Sequence, residues 1–267
     1  MPPESARLLR PVPYRGGGFA PAKIAYAAPA SFLALLLLWE AATRFGWISP
    51  LALPRPAEVA TALVDMIRSG ELWKHLGASL HRLVLGWLLG ASVGVIVGFA
   101  IGLSSLARST ALPLVSALFP IPKIALLPLF IIWFGIGEAS KYATIAFGVF
   151  SPMAIAAFGG VDSVDRTLIR MAQSFGMPVR DIVRKIVLPG AMPALLSGIR
   201  ISASIGIILL TAAEMIGAQY GVGALVLAAG NLMQTDRLLA GVLILSAFGL
   251  AVAQLIGLAE RKLLRWR

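Results

Sequence analysis

Cysteine is absent, histidine occurs twice, and charged side chains make up only 13% of the 267 residues. Each shortage excludes something. Without cysteine there is no disulfide and no thiolate metal site. His75 and His81 stand six positions apart with no third ligand nearby, so both read as interfacial residues and no metal site is expected. No G-x-x-x-x-G-K-[ST] phosphate loop occurs anywhere, so the chain does not bind ATP in the usual way. There is no His, Cys or paired-carboxylate constellation of the kind an intramembrane enzyme needs, so no catalytic residue and no cofactor is expected. A soluble domain carries about 25% charged residues. Half of that leaves no polar coat for a surface in water.

What is present is apolar: 58% hydrophobic residues, with a mean hydropathy of +0.87. Such a chain needs the lipid bilayer as its solvent. The net charge of +11 would suit nucleic acid, but the basic residues stand at the ends of apolar runs and not in one patch. That is the pattern of membrane orientation signals, so no nucleic-acid partner is expected.

Crossing the hydrocarbon core as a helix takes about 20 apolar residues. Six segments qualify: near Ile24–Ala42, between Arg82 and Arg108, near Ala111–Phe134, between Lys141 and Asp162, near Ala194–Gly217, and between Arg237 and Glu260. Lipid offers no partner to an open backbone, so each is expected to be helical. The fold class is thus an all-α membrane protein with about six transmembrane helices. Residues 1–22 read as a cytoplasmic N-terminal tail rich in Pro, Gly and Arg, 23–260 as the transmembrane domain, and 261–267 as a cytoplasmic C-terminal tail. The first apolar run has no convincing cleavage site after it and reads as a retained span. With the N-terminus inside, fourteen Lys and Arg residues fall on the inner side and seven on the outer, leaving Lys123 and Arg200 within spans. The bias places both termini in the cytoplasm.

Several local features stand out. Pro54 and Pro56 open an amphipathic helix, Glu58 to Ile67, expected on the outer surface. The apolar, Gly-rich stretch Ala218–Thr235 is too short to span and reads as partly re-entrant. Gly86, Gly90, Gly94, Gly98 and Gly102 line one helix face at a spacing of four, either for close packing inside the protein or as a surface that slides during transport. Pro113, Pro120, Pro122 and Pro128 break the third span, with Lys123 beside the middle pair. Charges inside a membrane are costly and often functional. Lys123 can attract an anion such as a sulfonate, or bond the carbonyls freed near Pro120, or snorkel. Arg200 lies two turns into the fifth span, within reach of the headgroups. Glu214 lies near that span's outer end, ahead of Gly217, Gly221 and Gly223, and can hold a gate region by hydrogen bonds. These three are the candidate pathway or gate residues. Glu138 and Lys141, in the outer turn GIGEASK, read as helix-end residues.

The longest inner loop spans residues 161–193. Val164, Leu168, Met171, Ala172 and Phe175 recur at helical spacing. Gly176 permits a sharp turn, and Pro178 starts a second helix with Ile182, Val183, Ile186 and Val187 on its apolar face. Pro189 and Pro193 are expected to end it. The result is a helical hairpin, apolar on one side and Arg-rich on the other, which by itself would also suit an anionic lipid surface.

Here the sequence resembles a family. Permeases of binding-protein-dependent ABC importers carry a loop of the form Glu-Ala-Ala, three residues, Gly, nine residues, Ile, one residue, Leu-Pro. Ala172, Gly176, Ile186, Leu188 and Pro189 stand at the matching positions. The runs MAQSFGMPVRDIVRKIVLPGAMPALLSGIRI and PIPKIALLPLFIIWFGIGEASK resemble the nitrate, sulfonate and taurine branch. The resemblance implies a type I ABC importer permease fold in a bacterial inner membrane, with the loop as the coupling-helix hairpin. It implies as partners an ABC ATPase subunit in two copies, a periplasmic or extracellular substrate-binding protein, and a second permease copy, most simply as a homodimer. Arg170, Ala172, Gly176, Asp181, Ile186, Leu188 and Pro189 are then the candidate ATPase-coupling residues. Arg170 falls where the family has Glu, and Met171 on its first Ala, so the usual ion pair with the ATPase is not to be assumed. The competing reading is a secondary transporter driven by an ion gradient. Such proteins place carboxylates near the midplane, whereas Glu40 and Glu214 both lie toward span ends.

Overall fold

The computed structural model describes residues 26–264; residues 1–22, read above as a tail, lie outside them. Every regular element among the described residues is helical. Two compact units divide at Pro56. The first contains α1 (Ala27–Arg44), 18 residues with Glu40 and Arg44 at its end, followed by a turn in which Trp39 Nε1 donates to the Pro54 carbonyl at 3.0 Å.

The second unit starts with α2 (Pro56–Arg68), which buries Val59, Ala62 and Met66, a 3–4 spacing that marks one amphipathic face. It continues through α3 (Glu71–Leu103), α4 (Ser105–Leu118), a 3₁₀ turn (Lys123–Leu126), α5 (Leu127–Phe134) and α6 (Glu138–Asp162). Then come α7 (Arg166–Ser174), α8 (Val179–Ile182), a π turn (Val183–Val187), α9 (Leu188–Gly217), α10 (Val222–Asn231) and α11 (Thr235–Leu263). Among the described residues, four helical stretches are long and apolar enough to cross a membrane: α3, α6, Val179–Gly217 and α11. The bent pair α4 and Lys123–Phe134 is long and apolar enough to be a fifth when taken together as one broken span. The expected first span corresponds to α1, whose charged last turn leaves it outside that group.

The glycine stripe of α3 packs against α6. A Cβ on Gly86 would strike Ile145, one on Gly94 the Phe150 carbonyl, and one on Gly102 Val161. At Gly90 and Gly98 the obstacle is the α6 backbone itself, at Ala146 and Ala154. Contacts that advance together mean that α3 and α6 run parallel, backbone to backbone. On the other side of α6, Gly160 meets Ala191, Gly198 meets Ala156, and Gly206 meets Val149, so α9 runs antiparallel. The core between these three helices holds Leu83, Ala91, Ile145, Val149, Met153 and Leu210. One end of the bundle therefore collects the starts of α3, α6 and α11 with the finish of α9. The other end collects their opposite termini and the segment 161–193.

The third expected span is broken as its prolines suggest. Pro113 sits inside α4, and Pro128 occupies the first turn of α5, where a missing N–H costs nothing. The break falls at Phe119–Pro122, and the flanking segments meet at 89°. The stretch 218–235 forms α10, ten residues packed on α9 and α11 and too short to span.

One expectation is corrected. Pro189 and Pro193 do not end the second hairpin helix, because Val179–Gly217 is a continuous 39-residue helix. A proline ring clashes with the carbonyl four residues before it and lacks an N–H to donate. Here the chain widens to a π turn over Val183–Val187, directly ahead of Pro189, and the helix passes through.

Candidate functional site

Three groups of residues with chemical potential lie at three depths of the second unit: the 161–193 hairpin at one end, Lys123 half-way along, and a buried ion network at the other end.

The hairpin begins at Asp165, whose carboxylate caps α7 by accepting from the Thr167 N–H at 2.7 Å. That backbone hydrogen bond favours the charged form and holds the carboxyl below its usual range. At the other end of α7 the Met177 N–H donates to the Ala172 carbonyl (3.1 Å) and the Gly176 N–H to that of Gln173 (2.9 Å). This is a Schellman closure, and it needs the left-handed backbone that Gly176 adopts (φ +71°). The apolar positions of the hairpin split. Val164, Ala172, Ile182 and Val187 turn inward onto Val161 and Phe99, with Ile186 half-buried beside them. Leu168, Met171, Phe175 and Val179 turn outward; Phe175 is 78% exposed and Val179 75%. Leu188 and Pro189 are exposed. Asp181 pairs with Lys185 at 3.0 Å, one turn away. Arg170 is exposed and makes no ion pair among the described residues. The seven coupling candidates thus fall on one hairpin, with Ala172 inside it as a fastening point.

Lys123 opens the 3₁₀ turn after the break. Its ammonium donates to the Phe119 carbonyl, left free by the end of α4, and lies 5.3 Å from the Phe119 ring centroid. It borders a 290 Å³ cleft whose far wall includes Gly148 and Pro152 of α6 and Ile205 and Leu209 of α9. Arg200 is exposed and pairs with Glu260 of α11.

The third group was only partly visible in the sequence. Glu214, near the end of α9, is 1% exposed. Its carboxylate accepts from Ser79 Oγ (2.8 and 2.9 Å), Arg82 NH1 (2.9 Å) and the Gly223 N–H (2.9 Å). Arg82, 5% exposed, also donates to both Glu138 oxygens (2.6 and 2.7 Å) and to the Tyr220 carbonyl. Ser79 accepts from the Val222 N–H (2.9 Å). His75 Nδ1 lies 2.7 Å from the Gly221 carbonyl and 3.1 Å from its nitrogen. Lys141 donates to the carbonyls of Ile136 and Gly137 at 3.1 and 3.0 Å and stands 3.7 Å from Glu138. Glycine is needed here: Gly221 has φ +147°, and a side chain on it would displace the Glu214 carboxylate. Four helices, α3, α6, α9 and α10, are tied together at this end.

Sequence reasoning found Glu214, Glu138 and Lys141 separately but took Arg82 only as a mark of the span's end. A usable signal existed. His75, Ser79 and Arg82 stand at i, i+4 and i+7, a polar stripe on one face of an apolar helix, aimed at the Gly-rich segment after Glu214. Among the described residues no group of three or more His, Asp or Glu is arranged to hold a metal.

Residues 90–265 match the family described as binding-protein-dependent transport system inner membrane component. The chain is 38% identical over 237 residues to the taurine transport system permease protein TauC of Escherichia coli, covering 87% of this chain and 86% of that protein. It is 36% identical over 233 residues to the putative aliphatic sulfonates transport permease protein SsuC of Bacillus subtilis, covering 87% and 84%. Its fold is that of solved ABC transporter chains: an inward-facing MetNI methionine ABC transporter (TM-score 0.58, 20% identity, 72% of this chain and 93% of that one) and an amino acid ABC transporter (TM-score 0.53, 19% identity, 75% and 98%). The chain belongs to the family of inner membrane permease components of binding-protein-dependent ABC transporters.

Proposed function

We propose that this permease forms the translocation pathway for a small anionic solute of the sulfonate or taurine type. It works with a separate ATPase, two copies of which drive two permease copies, and with an external binding protein that delivers the solute. The termini face the cytoplasm, where the hairpin 161–193 meets the ATPase. The TauC and SsuC relatives carry taurine and aliphatic sulfonates in their names, which supports the solute class. The family match favours this ATP-driven reading over the gradient-driven alternative.

The observation that carries the coupling role is the split hairpin. Its inner residues fasten it to α3 and α6, and its outer residues Leu168, Met171, Phe175 and Val179 present an apolar patch beside Arg170. Its second arm is the same helix that continues to Gly217. At 1.5 Å per residue that rod is about 58 Å long. A push on the hairpin therefore moves α9 as a lever and reaches Glu214 without passing through a loop. Asp181, Ile186, Leu188 and Pro189 lie along the lever's base. Arg200 with Glu260 and Glu214 with its network hold the lever against its neighbours, and Lys123 borders the pathway.

The test is reconstitution in liposomes with the neighbouring ATPase and binding protein. ATP-dependent uptake of taurine or an alkanesulfonate is expected, together with ATP hydrolysis that rises when loaded binding protein is added. Uptake that follows an ion gradient and persists without the ATPase would overturn the reading. If Arg170→Glu leaves assembly with the ATPase unchanged, that position makes no docking contact.

A further inference from the structure

We infer that Lys123 and the cleft beside it form a binding site for a small anion with a short aliphatic tail, half-way along the pathway, so that the permease itself selects its cargo. The inference rests on the import reading above and adds a site to it.

The depth is set by the helices. The cleft meets α6 at Gly148 and Pro152, the middle of a helix that runs from Glu138 to Asp162, and meets α9 at Ile205 and Leu209. Among the described residues the only charged side chain on its wall is Lys123. Among the described residues that ammonium makes no ion pair with a carboxylate, and its neighbours are one carbonyl and one ring face, both from Phe119. An ammonium has three donors. One is used on the carbonyl, which leaves donors for a guest. A cation at this depth is costly unless something compensates it, and an anion arriving in the cleft would do so.

The remaining wall is apolar, and the cleft holds 290 Å³. An apolar cavity of about 150 Å³ is enough for benzene, so an oxyanion head and a short alkyl chain fit together. The head belongs at Lys123 and the chain on Ile205 and Leu209. An ammonium is a compact point charge without the fixed fork of a guanidinium. It therefore selects for negative charge and tolerates more than one head-group shape. The 89° break supplies both the free carbonyl and the space. Broken helices near the midplane build substrate sites in other transporters for the same reason.

The natural absence of cysteine makes the site testable one thiol at a time. Ile208 borders the cleft and is 59% exposed, so Ile208→Cys replaces no core residue. In the assembled transporter, an anionic thiosulfonate should label this cysteine roughly tenfold faster than a neutral one of similar size, because a fixed charge in a low-dielectric cleft concentrates its counter-ion. Adding Lys123→Gln should abolish that preference, and Lys123→Arg should keep it. Excess ethanesulfonate should slow labelling only while position 123 is cationic. Equal labelling by the two reagents with Lys123 present, or no protection by ethanesulfonate, would overturn the site. These readouts do not require transport. If wild-type vesicles with ATPase and binding protein take up no sulfonate while the labelling pattern holds, the import reading has failed and the anion site has not. In transporting vesicles, Lys123→Gln should lower uptake at least tenfold while ATPase co-purification is unchanged; uptake at the wild-type rate would overturn the inference.

Discussion

The two ends of the bundle are built on opposite rules. At the Glu214 end the ionic groups are bonded within the chain, with Arg82 and Glu214 enclosed: Arg82 reaches two carboxylates and a carbonyl, and Glu214 accepts from two side chains and a backbone amide. At the hairpin end, guanidinium groups and large apolar side chains stand in the open: Phe175, Val179 and Arg170 are exposed, and Arg170 makes no ion pair among the described residues. A finished surface at one end of the bundle and an unfinished one at the other suggest different roles. The Glu214 end ties the protomer's own helices together, and the open hairpin end is what the docking proposed above requires.

The largest effect should come from breaking the finished end. Removing one partner of a buried ion pair leaves an uncompensated charge and costs about 3–5 kcal/mol. Arg82→Leu should therefore lower the thermal midpoint of the detergent-solubilised permease sharply or abolish a monodisperse species on gel filtration. Glu138 is open to water at one side, 47% exposed in its side chain against 0% for Glu214. Glu138→Gln should consequently cost much less than Glu214→Gln. Equal losses at the two carboxylates would show that enclosure is not what gives the network its weight.

Truncating the unfinished end should do the reverse. Phe175→Ser with Val179→Ser removes two outward, largely exposed side chains, so the thermal midpoint should barely move. If the patch docks on the ATPase, co-purification should fall by roughly tenfold or more, since each 1.4 kcal/mol of lost contact is a factor of ten. A stability loss with normal assembly would mean the residues belong to the permease core.

These two ends also differ in how far they could be read from sequence. The hairpin was legible because its signals are local. Gly176 and Pro178 mark its corner by their own backbone chemistry, and the apolar spacing marks two short helices. What local reading missed is that the apolar positions split, because that depends on where Val161 and Phe99 lie. It also missed that the helix runs on through Pro189, since the π turn that accommodates the ring has no residue signature of its own. The network was illegible for a related reason. Arg82, Glu138 and Glu214 are separated by dozens of residues, and each alone looks like an ordinary charge at a helix end. Only the i, i+4, i+7 stripe on α3 carried a trace of it. The glycine stripe was legible because close packing leaves a spacing that survives without the partner helix.

A smaller effect is expected at the hairpin's cap. The Asp165 carboxyl sits below its usual range because the Thr167 N–H bonds its charged form. A depressed pKa in the folded state means that the contribution is present above the unfolded value and disappears as pH falls through the folded one. Hydrogen exchange at the first turn of α7 should therefore show constant protection at neutral pH and a decline on acidification below the ordinary carboxylate range. Asp165→Asn keeps a capping oxygen without a titrating proton and should flatten that decline. Asp165→Ala should be unprotected throughout. A decline that survives in Asp165→Asn would place the titration on another group.

The smallest effect is expected at Arg200. It lies on the same long helix as Glu214, and in sequence the two looked alike as charges within one span. Their surroundings separate them. Arg200 is 53% exposed in its side chain and meets Glu260, itself 29% exposed, across α9 and α11. Exposed pairs of this kind contribute about 0–1 kcal/mol, because either partner can return to water or to the headgroups. Arg200→Gln should leave the thermal midpoint within a degree or two, and raising the salt concentration should shrink even that difference. The same salt change should leave most of the cost of Arg82→Leu in place, since counter-ions do not reach the enclosed Arg82–Glu214 pair. A salt-insensitive loss at Arg200 as large as that at Arg82 would show that the contact with Glu260 is shielded in the membrane and that both ends of α9 are anchored alike.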